Sequence, residues 1–284
     1  MAEPQTATCQ PELAHGLPCH RLSLPCGDQL LVAEQGAHVL SWVSQGRERL
    51  YLSPRNAFDG HTPIRGGVPV CFPQFNQRGN LPKHGFFRQV AWQVGDCQRH
   101  ADSARLSLRL SDNAHTRTLW PKAFVAALHL DLSPGSLQLS LEVHNTDTQD
   151  LRFTGALHTY FAVDAIAQTR LTGLSGQAEW DAVADVHGLA ASELRFDAEF
   201  DRVYAASPTA MRLQDGANAL HITQSPSWAN TVVWNPGAAK CATLSDMPAN
   251  GFEHMLCVEA AQVFEPVQVA AGQSWQGWQR LQVL

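Results

Sequence analysis

No run in this sequence approaches the ~18–20 consecutive apolar residues that a membrane-spanning helix needs, so no membrane partner is expected. The first residues, M-A-E-P-Q-T-A-T-C-Q, show no basic segment followed by an apolar one and are read as carrying no secretion signal. No C-x-x-C pair occurs, and the seven cysteines (Cys9, Cys19, Cys26, Cys71, Cys97, Cys241 and Cys257) are odd in number. That argues against a disulfide scaffold or a zinc site and for reduced thiols in a cytoplasmic chain. A surplus of positive charge is missing too. The net charge of −6 and pI near 6.1 leave no basic face for nucleic acid. A small phosphorylated ligand remains compatible, since a few local cations suffice for one. There is no H-E-x-x-H despite thirteen histidines, and no G-x-x-x-x-G-K-[ST], G-x-G-x-x-G or G-x-S-x-G. Neither a metal nor a cofactor is expected.

Long helical periodicity is also absent. Only residues 182–194 suggest a short amphipathic helix, and no repeat of fixed period occurs. What is present is period-2 alternation. Ala104 to Leu110 alternates, as does Phe124 to Leu132. After the turn Ser133-Pro134-Gly135-Ser136, the residues Leu137, Leu139, Leu141 and Val143 alternate again. Apolar alternation on both sides of a Pro-Gly turn is a hairpin signal. Further strands are predicted at 29–44 (broken at Gln35-Gly36), 90–94, 151–163, 211–223 (around Asp215-Gly216), 231–234 and 255–259, with a last pair from Val267. Many short strands separated by Gly and Pro indicate an all-β sandwich or barrel. Residues 1–20 are polar and Pro-rich and are expected to form a loosely ordered tail. Residues 21–284 are expected to form one domain.

One stretch breaks the strand pattern. Residues 63–88, P-I-R-G-G-V-P-V-C-F-P-Q-F-N-Q-R-G-N-L-P-K-H-G-F-F-R, crowd glycines, prolines and cations together. Gly66-Gly67 permits positive φ, and Pro69, Pro73 and Pro82 stiffen the path. A rigid irregular loop with Arg65 and Arg88 near its ends reads as an anion grip, because binding groups concentrate on such loops.

This loop, with I-R-G-G-V-P-V-C-F-P and L-P-K-H-G-F-F-R, resembles the hexose-6-phosphate mutarotases (glucose-6-phosphate 1-epimerases) of the aldose 1-epimerase superfamily. Further segments match in order: A-L-H-T-Y-F at 156–161, F-D-R-V-Y at 200–204, V-V-W-N-P at 232–236, L-S-D-M at 244–247 and M-L-C-V-E at 255–259. The resemblance spans roughly residues 25–284. It implies a large antiparallel β-sandwich, the galactose mutarotase-like supersandwich, with few short helices. It also implies interconversion of the α and β anomers of a sugar 6-phosphate, by an acid and a base acting across one hemiacetal.

The resemblance assigns residues to these tasks. Glu259 matches the family's catalytic glutamate and is the candidate base, and apolar neighbours would raise its pKa. His158 matches the catalytic histidine and is the candidate acid, titrating in the useful range. Arg65 and Arg88 are expected to bind phosphate through their planar donor forks. Lys83 stands where the family often has glutamine, and it adds a cation that lacks an acceptor. His84 is expected to touch the sugar or orient the loop. Asp201 is expected to accept hydrogen bonds from hydroxyls, the alternative being an ion pair with Arg202. Trp234 and Asn235 are weighed as pocket wall or core, and Arg78 is left open. The expected ligand is a small sugar phosphate and the expected state a monomer. Two other readings stay open: an epimerase for free sugars, and a non-catalytic sugar-phosphate-binding module that keeps the sandwich.

Overall fold

The alternation turns directly into burial in the central hairpin. Phe124–Ser133 pairs with Ser136–Asn145 from Ser133↔Ser136 to Phe124↔Asn145. Phe124, Ala126, Leu128, Leu130 and Leu132 are buried, while the residues between them are only half-buried. Each large side chain of this set contributes about 1.5–3 kcal/mol by leaving water. A slip of one residue would turn the whole apolar set to solvent.

The computed structural model describes residues 6–284. This hairpin lies in a nine-stranded sheet that also holds the last strand, Ser274–Val283, beside Ser136–Asn145. An eight-stranded sheet is built around the 15-residue strand Met255–Val269. That strand lies between Asn230–Asn235 and Leu151–Leu157. A five-stranded meander, Thr8–Ala14 through Arg47–Glu48, completes the fold. One apolar core draws Leu30 and Trp42 from the meander, Leu128 and Leu281 from the nine-stranded sheet, and Leu157 and Val258 from the eight-stranded sheet. The helices are short: Ala114–Leu119, capped by Asn113, and Gly237–Cys241, with single 3-10 turns elsewhere. Among the described residues, no helix is long and apolar enough to cross a membrane. The all-β antiparallel sandwich with few short helices is therefore what the chain adopts.

Several local expectations are corrected. The expected tail is a hairpin: Thr8–Ala14 pairs with Leu17–Ser23, and residues 1–5 lie outside the described residues. Pro11 is tolerated because its strand is the sheet edge. Leu17 and Cys19 are buried, and Arg21 forks onto both oxygens of Glu12 at 2.7 Å. Residues 182–194 are not helical. Ala178–Asp181 pairs with Val186–Leu189, and the Asp181 carboxylate accepts from the amides of Val183 and Ala184 to form the turn. The strand expected at 90–94 begins instead at Gln93, after a 3-10 turn at Phe87–Gln89. The strand expected at 151–163 is two strands, Leu151–Leu157 and Tyr160–Ala162.

Candidate active site

The break in that strand falls on His158 and Thr159. Both pieces pair with Met255–Val269 in one register, through Leu157↔Ala260 and Tyr160↔Cys257. His158 therefore lies opposite Glu259. Two backbone bonds carry the registers of both neighbouring strands across the gap. The His158 amide donates to Pro69 O at 3.0 Å, and the Val258 amide donates to Thr159 O at 3.1 Å. Thr159 Oγ1 donates to Gln279 Oε1 at 2.5 Å, and Gln279 Nε2 donates to Val258 O at 3.0 Å. Gln279 belongs to the other sheet, so the break is pinned from both sides.

His158 Nε2 stands 3.4 Å from Glu259 Oε1. Glu259 is 1% exposed and His158 is 9% exposed, and both line one cavity. Tyr160 stacks on His158 with centroids 4.7 Å apart, and His84 meets it edge-on at 5.4 Å. Among the described residues, His158 Nδ1 and Glu259 Oε2 have no hydrogen-bond partner.

The cavity holds about 290 Å³ and brings together all seven expected site residues: Arg65, Lys83, His84, Arg88, His158, Asp201 and Glu259. The loop is set by its glycines. Gly66 and Gly67 have φ of +106° and +60°, and a Cβ on Gly67 would lie 2.0 Å from Val39 O. Arg65 donates through Nε to Asp246 Oδ1 at 2.8 Å and through Nη1 to the Tyr160 hydroxyl at 3.3 Å. Arg88 Nη2 donates to the backbone Lys83 O at 2.7 Å, which ties Arg88 to the loop segment that carries Lys83. His84 Nδ1 accepts from the Asn76 amide at 3.2 Å, so Nε2 carries its proton.

Asp201 is free of the alternative expected for it. Its neighbour Arg202 bonds Glu179 at 3.2 Å and Asp181 at 2.8 Å, leaving Asp201 on the cavity wall. Alternation along the strand sends the two side chains to opposite faces. Trp234 lines the cavity, but Asn235 does not: its amide donates to Phe252 O and Met255 O, a structural role. Arg78 is on the surface over the rings of Trp180 and Phe264. Among the lining residues not expected from the sequence are Tyr160, Asp246 and Lys240. Tyr160 and Asp246 lie inside the matched segments H-T-Y-F and L-S-D-M, so those segments carried the signal. Lys240, bonded to Glu199 at 2.5 Å, lies in no matched segment.

Burial sets the electrostatics. It pushes Glu259 well above the usual carboxylate range; Asp201 adds to this and Lys83 opposes it. Burial, then Arg88 and Arg65, hold His158 well below the usual histidine value. His84 is lowered the same way, by burial, His158 and the loop cations. Lys83 is lowered by burial, Arg65, Arg88 and Lys240. Asp201 is raised by burial, with Lys240 pulling the other way. Arg65 stays charged: burial opposes the charge, but Tyr160 and Asp246 outweigh it. Burial thus favours the neutral form of each partner, with a proton on the Glu259 carboxyl and no second proton on the His158 ring. Moving that proton across 3.4 Å creates no net charge, so burial tolerates both arrangements better than an isolated carboxylate.

An antiparallel β-sandwich with a buried carboxyl–imidazole pair on the floor of a cation-walled cavity places this chain in the galactose mutarotase-like class. It superposes on a candidate mutarotase of Salmonella typhimurium with TM-score 0.89 and 28% identity, covering 97% of this chain and 93% of that one. A galactose mutarotase-like protein of Clostridium acetobutylicum shares the fold at TM-score 0.78 and 14% identity, covering 98% and 99%. The sequence pattern of aldose 1-epimerases matches residues 18–282, and the chain belongs to the aldose 1-epimerase family. It is 36% identical over 244 residues to a candidate glucose-6-phosphate 1-epimerase of Escherichia coli, covering 84% of this chain and 81% of that one. It is 32% identical over 254 residues to one of Cenchrus ciliaris, covering 85% and 77%. Family membership makes it an epimerase, an isomerase acting at a sugar carbon.

Proposed function

We propose that this protein interconverts the α and β anomers of hexose 6-phosphates, glucose 6-phosphate foremost. The observation that carries the reading is the His158–Glu259 pair at 3.4 Å, on the floor of the same cavity whose wall holds Arg65, Lys83 and Arg88. Relatives named for glucose-6-phosphate 1-epimerase activity support the choice of substrate.

In this reading the reactive arrangement is Glu259 ionised and His158 protonated. Glu259 removes the proton from the C1 hydroxyl, and the C1–O5 bond breaks with its electron pair going to O5. His158 delivers its proton to O5, leaving an aldehyde at C1. Rotation about C1–C2 presents the other face, and the reverse transfers close the ring. Each group returns to its starting state, and each contributes about 10²–10⁴-fold.

Arg65, Arg88 and Lys83 hold the phosphate. Asp201 accepts from sugar hydroxyls, and His84 positions the loop and the His158 ring. The phosphate does more than anchor. Arg88 and Arg65 are the charges that disfavour protonated His158. A phosphate dianion resting on them offsets that field and raises the share of the reactive arrangement. We assign the protein to the cytoplasm, on the strength of seven cysteines that are all unpaired, and to a monomeric state.

Magnetisation transfer with glucose, glucose 6-phosphate, galactose 6-phosphate and mannose 6-phosphate tests the reading. The 6-phosphates are expected to exchange faster than glucose, and Arg65→Ala and Arg88→Ala to narrow that gap. Acceleration of glucose but not of its 6-phosphate would sink the phosphate clamp. Tight binding with no acceleration of any sugar would leave a binding module.

A further inference from the structure

We propose that His158, Cys257 and Glu259 form a binding site for a thiophilic divalent cation of the Zn²⁺ type, and that occupancy switches the epimerase off. Cys257 and Glu259 are two apart on Met255–Val269, so both side chains leave the same face of the strand. His158 reaches that face from across the break in the neighbouring strand. One donor atom from each of the three lies within 4.8 Å of the others, and all three residues are buried.

The spacing suits the ion. Tetrahedral Zn²⁺ with nitrogen and oxygen ligands near 2.1 Å places those two donors about 3.4 Å apart. His158 Nε2 and Glu259 Oε1 already stand at 3.4 Å, longer than a good hydrogen bond. With a zinc–sulfur bond near 2.3 Å, the sulfur belongs about 3.6 Å from each partner, so from a separation of at most 4.8 Å the thiol closes by about 1.2 Å at most. His158 and Glu259 line the cavity, while Cys257 lies behind its wall.

Charge accounting favours the ion as well. The site buries a carboxyl and a thiol with no cation bonded to either. A divalent cation displaces one proton from each to solvent, and the thiolate, carboxylate and ion sum to zero. Arg65 and Arg88 face the same cavity and oppose any cation. Hard ions such as Mg²⁺, which gain little from sulfur and nitrogen, are therefore excluded, whereas a thiophilic ion gains two soft or borderline ligands. Occupancy takes the oxygen and nitrogen that would exchange protons with substrate. No C-x-x-C or H-E-x-x-H motif announces this site, because His158 reaches it from a different strand.

The inhibitory half of the proposal rests on the roles given above to His158 and Glu259; the binding half does not. The two are separated by measuring them separately. Co²⁺ added to the purified protein in a non-chelating buffer is expected to give a sulfur-to-cobalt charge-transfer band at one ion per chain, displaced by Zn²⁺. Zn²⁺ is expected to stop anomer exchange where equal Mg²⁺ does not. Cys257→Ala is expected to keep exchange, lose the cobalt–sulfur band and need at least about tenfold more Zn²⁺ for half inhibition. Absence of the band in the wild-type protein overturns the site, and that readout holds even if the variant misfolds. Equal zinc sensitivity of wild type and Cys257→Ala overturns the inhibitory role. A band without any anomer exchange would leave the metal site standing and remove the epimerase reading alone.

Discussion

His38 offers a measurable link between the arginine loop and stability. It is fully buried, and its Nε2 donates to Gly66 O at 2.7 Å, directly behind Arg65. Its Nδ1 has no partner. A second proton would create an N–H facing no acceptor, in a place without water. Burial is the main reason its pKa falls from 6.5 to about 4; the Gly66 bond opposes the shift and Arg88 adds to it. Unfolded His38 takes up a proton as pH drops through about 6.5, while folded His38 stays neutral until about 4. The group's contribution to stability is therefore complete above 6.5, declines as pH falls, and is lost below about 4. At about 1.36 kcal/mol per pH unit the full effect is about 3.4 kcal/mol, of which about 2 kcal/mol is gone at pH 5. His38→Gln removes the titration but keeps an amide donor for Gly66 O. Urea unfolding of both proteins at pH 7.5 and pH 5 reads the difference. The wild type is expected to lose about 2 kcal/mol more than the variant between the two conditions. Equal losses would refute the argument, whatever the variant's stability at pH 7.5.

Glu259→Gln keeps the shape of the pair but removes the base, and exchange of glucose 6-phosphate is expected to fall about 10²–10⁴-fold with affinity largely retained. Wild-type exchange in that variant would displace Glu259 from its role. The pH profile of exchange is expected to be bell-shaped. Its acid limb should lie below the ordinary histidine value, because burial, Arg88 and Arg65 resist a second proton on the pair. Its alkaline limb should lie above the ordinary glutamate value, because burial and Asp201 hold the last proton. An acid limb above pH 7 would contradict the electrostatics. Phosphite dianion added with glucose is expected to speed glucose exchange by occupying the cation wall and relieving the field on His158. No effect at saturating phosphite would reduce the phosphate to a handle.

The fold was legible where alternation is local. The run from Phe124 to Leu132 announced its own buried face, and the Pro134-Gly135 turn announced its partner. The hairpin at residues 8–23 was hidden because its order comes from docking: Arg21 on Glu12, and Leu17 and Cys19 in the interior. No local composition records such docking. The break at His158-Thr159 was hidden for a related reason. T-G-A-L-H-T-Y-F is apolar enough to read as one strand, and the groups that hold the break, Pro69 O and Gln279, are far away in sequence. The site residues themselves were legible through family segments, since each lies within a short matched run. Their partners were less so. Arg65 and Asp246 are 181 positions apart, and nothing in either segment says that they touch.

The Thr159–Gln279–Val258 bonds also bear on how the enzyme loses activity. Local openings that expose a segment without melting the domain need that segment to be held by few bonds, usually at an edge. The segment carrying His158 is held to a central strand of one sheet and to a central strand of the other. Displacing the backbone at His158-Thr159 therefore breaks contacts to both sheets. The segment carrying His158 is expected among the last to exchange its amide hydrogens, with inactivation on warming coinciding with collapse of the sandwich rather than preceding it.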